Sequence, residues 1–246
     1  MINLKRILNS EGINADISYK HIILEIALVT GGILIALAID NWNNKRVEQV
    51  KISDYYEDIQ VEFKEVIQYQ KKQKKTLGRI QESMVRSLKI IKSKNKDSIP
   101  TIKKLLGYFA TTWPTSYSMP ITEEFIDLDY INKVQNDSLK LMLKKYVGRL
   151  KDSRKMEEFN AAQYNDRIEP YINENINYQE IVLSSLKKRL VEGGPKTDFE
   201  KLSNDLNFWN VINFKIETTI IELSKLKWDM KVFEIIYKLL EQENKI

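Results

Sequence analysis

The sequence predicts an all-α protein, in which one N-terminal transmembrane helix continues into a long helix packed in an antiparallel helical bundle. Three observations predict it. Residues 22–39 form an apolar run, IILEIALVTGGILIALAI, whose one charged residue is Glu25. As a helix rising about 1.5 Å per residue, the run measures roughly 27 Å, close to the hydrocarbon thickness of a bilayer. Beyond it, apolar residues return in steps of three and four, the period of an amphipathic helix. Only 8 Gly and 5 Pro punctuate 246 residues, too few for a turn-rich β fold.

Composition narrows the chemistry. The chain has no Cys, which excludes disulfides, thiolate metal sites and a Cys nucleophile. Its net charge of +5 arises from 39 basic and 34 acidic residues, mild enough to permit an anionic partner without pointing to one. A mean hydropathy of −0.40 places most of the chain in water. Three segments follow: a short head, 1–21; the membrane helix, 22–39; and a helical bundle domain, 40–246.

The head carries Lys5, Arg6 and Lys20, and its MINLKRIL start suits a short amphipathic turn at the interface. Tyr19 and Trp42 stand at opposite ends of the apolar run, where amphipathic rings anchor in the headgroup layer. A cleaved signal peptide is the alternative, since Ala36-Leu37-Ala38 fits a cleavage site, but the run is longer than a usual signal core. Lys5, Arg6 and Lys20 balance Lys45, Arg46 and Lys51, so the positive-inside rule alone leaves orientation near a tie. A short head ahead of a long domain favours the N-terminus inside and the domain outside. Within the helix, Ala27 and Gly31, then Gly32 and Ala36, have the four-residue spacing of small residues that lets helices approach closely. Glu25 lies about one turn inside the membrane edge, four residues after His21. It either snorkels or pairs with His21 or Lys20, or it meets a partner helix or serves as a protonatable group.

The stretch Glu25-Ile-Ala-Leu-Val-Thr-Gly-Gly-Ile-Leu-Ile-Ala-Leu-Ala-Ile-Asp-Asn-Trp-Asn43 resembles an uncharacterised family of bacterial single-pass membrane proteins. Their signature has the form GEIxLVxxGILIALxIxNWN and precedes a helical extracytoplasmic domain of similar length. The match is specific at Glu25, at Gly32 to Leu37 and at Asn41-Trp42-Asn43; it departs at Leu24, where the family has Gly. Thr122-Glu123-Glu124-Phe125 and Arg167-Ile168-Glu169-Pro170-Tyr171 resemble later parts of the family layout. The resemblance implies topology, a bacterial inner-membrane location and a periplasmic bundle. It implies no activity.

From Asn43 to about Ser93 the spacing of Ile52, Tyr56, Ile59, Phe63 and Val66, then Leu77, Ile80, Met84, Leu88 and Ile91, predicts one long helix. Gln70 and Gln73 interrupt its seam. Lys71, Lys72, Lys74, Lys75 and Arg79 surround the interruption, as a solvated face or, less in keeping with the lack of aromatic platforms, a nucleic-acid contact. Pro100 suits the first turn of a helix reaching about Thr111, capped by Asp97 or Ser98. Residues 111–120 are a loop in which Trp113 and Tyr117 form either a recognition surface or a plug for the core. Thr122 reads as the N-cap of a helix carrying Phe125, Leu128, Ile131 and Val134, with Ile121 and Ile126 as its hydrophobic staple. Glu123, Glu124, Asp127 and Asp129 near its start suit the helix dipole and lack calcium-loop spacing. Asn136-Asp137-Ser138 caps a helix continuing through Ser153, Met156 and Phe159 to Pro170. A shorter helix spans 178–191, and Glu192-Gly193-Gly194-Pro195 stops it in a hinge or exposed loop. The last helix starts near Phe199 or Leu206 and ends at Glu243, with a seam from Ile212 to Leu240.

No catalytic constellation emerges. The one His sits at the membrane boundary, no Rossmann or nucleophile-elbow motif occurs, and Gly193-Gly194-Pro195-Lys196-Thr197 has Pro where a phosphate loop needs Gly. The expectation is a non-enzyme without cofactor or metal. It is first a membrane-anchored scaffold or accessory subunit that binds other proteins, or itself, through the transmembrane helix. The alternatives are a single-pass sensor with a ligand- or peptide-binding bundle, and a tethered cytoplasmic bundle binding protein or nucleic acid. A ligand-sized cavity in the bundle favours the sensor.

Overall fold

The computed structural model describes residues 19–244, and every regular element among them is helical. Helix α1 spans Tyr19–Ser93 and carries no proline, so nothing in its sequence breaks it. It ends where Lys94 turns left-handed, with φ 51°. The chain divides at Lys51/Ile52 into two compact units. In the first, the apolar stretch from Ile22 to Ile39 is exposed, and this helix is long and apolar enough to cross a membrane. Residues 40–51 carry no buried side chain; Ile52 is the first buried residue of the second unit.

The second unit has two apolar cores. One joins Ile52–Ile67 of α1 to Val232–Leu240 of α9 (Leu206–Glu243), to Leu139, Leu143 and Tyr146 of α4 (Asp137–Gln163), and to Met119, Phe125 and Ile131 around α3 (Pro120–Asp127). Here Phe233 meets Phe63, Tyr117 and Tyr146 edge-on at 5.4–5.9 Å. The other core joins Leu77–Ile91 of α1 to Phe208–Leu226 of α9, to Ile102 and Leu106 of α2 (Ile99–Leu106), and to Ile168, Tyr171 and Ile172 around α5 (Glu169–Asn175). The seams read on α1 and α9 turn inward where the two cores lie: on α9, Ile212, Thr219, Leu223, Leu226, Phe233 and Leu240 are buried and Ile216, Met230 and Tyr237 half-buried.

Several local expectations are corrected. Thr122 is not an N-cap. Met119 holds that position, Pro120 is the first helical residue, and Thr122 lies inside the turn. The cap comes from α1: the Glu62 carboxylate accepts the Ile121 and Thr122 N–H groups at 2.8 and 2.9 Å and the Thr122 hydroxyl at 2.7 Å. The helix does not run on to Val134, because Asp129 turns left-handed (φ 59°) and Tyr130–Lys133 form a 3₁₀ turn. Helix α2 ends at Leu106 rather than Thr111, and Ser98 caps it without its side chain. Phe159 is exposed, so the buried seam of α4 ends near Tyr146.

The expected helix over 178–191 is broken into α6 (Tyr178–Ile181) and α7 (Ser184–Lys187). The break lets the chain press against Gly107, where a Cβ would stand 2.8 Å from the Ile181 carbonyl oxygen. α8 (Phe199–Leu202) then precedes α9, whose N-cap Asp205 accepts Asn207 N–H at 2.8 Å. The Gly193-Gly194 loop has the positive φ that only glycine takes easily, 138° and 86°. It is exposed but tied down: the Asn177 amide donates to the Gly193 and Pro195 carbonyls, each at 2.9 Å.

Candidate functional site

Between the two cores the interior turns polar. On α1 the apolar clusters stop at Ile67 and resume at Leu77, and Gln70 lies buried in the gap. On α9, Lys215, Glu222 and Asp229 recur every seven residues and so share one face, with Thr218, Thr219 and Lys225 beside them. Asp229 is 1% exposed. Lys225 Nζ donates to its Oδ2 at 2.6 Å and to Ser153 Oγ of α4 at 3.0 Å, while Arg149 Nε stands 3.8 Å from Oδ1. Around Gln70, Tyr117 and Asp229 is a space of about 10 Å³, on the scale of one water. Gln70 Oε1, Tyr117 OH and Asp229 Oδ1 have no hydrogen-bond partner in the protein. Burial, with the Asp229 charge second, pushes the Tyr117 hydroxyl far above the ordinary phenol range.

One step along α9 this belt opens into a cavity of about 300 Å³. Leu77, Ile80 and Ile168 form its apolar floor, and the exposed residues Thr112, Pro114, Ala161 and Asn165 stand at its mouth. Lys215 and Glu222 bring opposite charges to its wall. Lys215 Nζ reaches the Thr111 carbonyl at 3.5 Å, and Glu222 Oε1 accepts the Thr115 hydroxyl at 2.5 Å. Burial presses both toward neutrality. It pushes the Lys215 ammonium down, opposed by the Glu222 charge. It pushes the Glu222 carboxyl up, opposed by Thr115, by Lys215 and Lys225, and by the Asn160 side chain. Two further wall residues hold unpaired buried polar atoms, the Trp113 indole N–H and Asn160 Oδ1.

Local chain geometry places the α4 side of the wall. Tyr164–Ile168 form a π-helical turn directly ahead of Pro170. Pro170 has no N–H for the carbonyl one turn back and its ring crowds that carbonyl, so the chain widens there. The wide turn carries Asn165 and Ile168 to the cavity and is held by Tyr164 OH donating to the Ala110 carbonyl at 3.2 Å.

The residues singled out from the sequence fall in two places. Glu25, Ala27, Gly32 and Ala36 are exposed on α1 and Gly31 nearly so; a Cβ at Gly31 or Gly32 would meet nothing within 4 Å. Trp42 is exposed, with the Arg46 guanidinium 5.9 Å from its ring centre. The Tyr19 side chain and residues 1–18, with Lys5 and Arg6, lie outside the described residues, as does the Lys20 side chain. Lys71, Lys72, Lys74, Lys75 and Arg79 are exposed on α1. Trp113 and Tyr117 part company: Tyr117 packs on the Phe233 core, whereas Trp113 lines the cavity. Lys215, Glu222, Asn160, Lys225 and Asp229 were not foreseen. Their signal was present in the polar seven-residue repeat of α9 and in the Gln70–Gln73 break of α1. Among the described residues no group of three or more His, Asp or Glu is placed to hold a metal ion. Comparison with protein-family models, with curated proteins and with solved structures finds no match to this chain.

Proposed function

We propose that the protein is a single-pass, membrane-anchored sensor whose helical domain binds a small polar ligand and passes its state to a partner in the bilayer. The cavity carries this reading: about 300 Å³, with an apolar floor and two opposed charges on its wall, is the make-up of a small-molecule site rather than of a filled bundle core. It moves the sensor ahead of the scaffold that the sequence put first. The scaffold keeps one specific support, the open small-residue face at Gly31 and Gly32. That face and Glu25 also serve the sensor, as its contact with the partner helix.

In this proposal α1 and α9 run antiparallel in the bundle. The support is the exchange of ends: Asn244 at the close of α9 donates to Gln60 at 2.9 Å, and Lys94 just past α1 donates to Asn204 just ahead of α9 at 2.9 Å. The N-terminus lies in the bacterial cytoplasm and the bundle in the periplasm, a topology supported by the exposed apolar helix and the family resemblance.

Thermal unfolding of the full chain in detergent, against a panel of small polar metabolites, tests the ligand. We expect at least one stabilising compound, and loss of its effect in Ala161→Trp, which fills the mouth from an exposed helical position. A panel without a binder, or a binder indifferent to Ala161→Trp, defeats the sensor reading. A C-terminal reporter active only in the cytoplasm overturns the topology. Crosslinked complexes unchanged by Gly31→Leu remove the helix face.

A further inference from the structure

Resting on the sensor reading, we infer that the cavity's ligand is a small zwitterion with an apolar side chain, of the free α-amino acid class. Two wall groups define what an occupant must offer. The Lys215 ammonium donates, so it asks for an acceptor, best an anionic one. The Glu222 carboxylate accepts, so it asks for a donor, best a cationic one. A ligand with one charge only is drawn to one of the two wall charges and repelled by the other. A neutral polyol satisfies hydrogen bonds but matches neither charge. A molecule carrying carboxylate and ammonium together, with no net charge, answers both groups.

Size and floor fix the rest. At about 30 Å³ per water in the liquid, 300 Å³ holds about ten waters, room enough for a molecule of about ten non-hydrogen atoms. Leu77, Ile80 and Ile168 give the remaining surface to an aliphatic or aromatic group. Leucine and phenylalanine have that size and that division of polar head from apolar tail. A peptide of several residues does not fit.

The experiment is calorimetric titration of the full chain in detergent with leucine and phenylalanine, and with two amputated analogues of each. The N-acetyl amino acid lacks the ammonium; the amino-acid amide lacks the carboxylate. We expect the intact amino acid to bind at least tenfold tighter than either analogue. In Lys215→Met that advantage over the amide disappears, and in Glu222→Gln the advantage over the N-acetyl form disappears. The two variants thus report on opposite ends of one molecule, a pattern that general destabilisation does not produce; thermal unfolding shows whether each variant is folded. Should either variant fail to fold, Lys215→Gln or Glu222→Leu takes its place under the same expectations, since each removes one wall charge and keeps the other. Equal binding of intact and amputated forms overturns the zwitterion. A monocarboxylate, an amine or a sugar that binds tightly, and is lost in Ala161→Trp, also overturns it and leaves the sensor reading standing. No binder of any of these classes removes both.

Discussion

Asp229 holds a carboxylate nearly out of water's reach, and Lys225 and Arg149 on either side are what make its burial tolerable. Asp229→Ala strands Lys225 beside a half-empty belt, and the expected loss is about 3–5 kcal/mol of unfolding free energy, measured by denaturant titration. An unchanged midpoint would mean that the pair contributes nothing. A second carboxylate sets the acid limit. Burial alone would raise Glu180, but hydrogen bonds from Lys103 and from the Thr197 hydroxyl and N–H, with the Lys103 charge, hold it down at about 2. Its folded pKa is therefore below the ordinary 4.5 of the unfolded chain, so its contribution is complete above about pH 4.5 and is lost as pH falls toward about 2. The ceiling is roughly 3 kcal/mol. Melting temperature followed from pH 6 to 2 is expected to fall more steeply in the wild type than in Glu180→Gln; parallel curves would show that the pairing adds no pH dependence.

At the scale of the element, glycines with opposite surroundings make a paired test. Gly107→Ala in the turn after α2 puts a methyl against the backbone of Ile181 and Leu183, which cannot swing aside as a side chain can. Overpacking of this kind costs about 1–3 kcal/mol. Gly78→Ala on α1 meets nothing within 4 Å and is expected to gain about 0.5–1 kcal/mol from helix propensity. Chemical denaturation of both variants checks the sign of each. These elements also show how far the chain could be read without coordinates. α1, α4 and α9 were legible because each holds a long period with caps such as Asn136. α3, α6 and α7 were not, because their limits are set from outside: Glu62 reaches across to cap α3, and Gly107 decides where the 178–191 stretch breaks. The cavity escaped for a related reason. The apolar seam of α9 shows in its period, whereas Lys215, Glu222 and Asp229, just as periodic on a neighbouring line, carry nothing in their spacing that marks them as covered. Only packing shows which of two periodic faces is covered.

For the whole helical domain, the absence of native cysteine offers a direct test of chain direction. A short bis-maleimide is expected to join Gln60→Cys to Asn244→Cys, since the two side-chain ends now meet at 2.9 Å. Gln60→Cys with Asn204→Cys is expected to stay open, since Asn204 lies beside Lys94 instead. The reverse result in gel mobility would turn α9 around. A wider consequence comes from the polar belt. Because it severs the oily interior, each half keeps its own aromatic nucleus and can loosen while its neighbour holds. A molecule in the adjoining cavity would rest on the Leu77–Ile168 side of that belt, so hydrogen exchange is expected to slow in that half more than in the other.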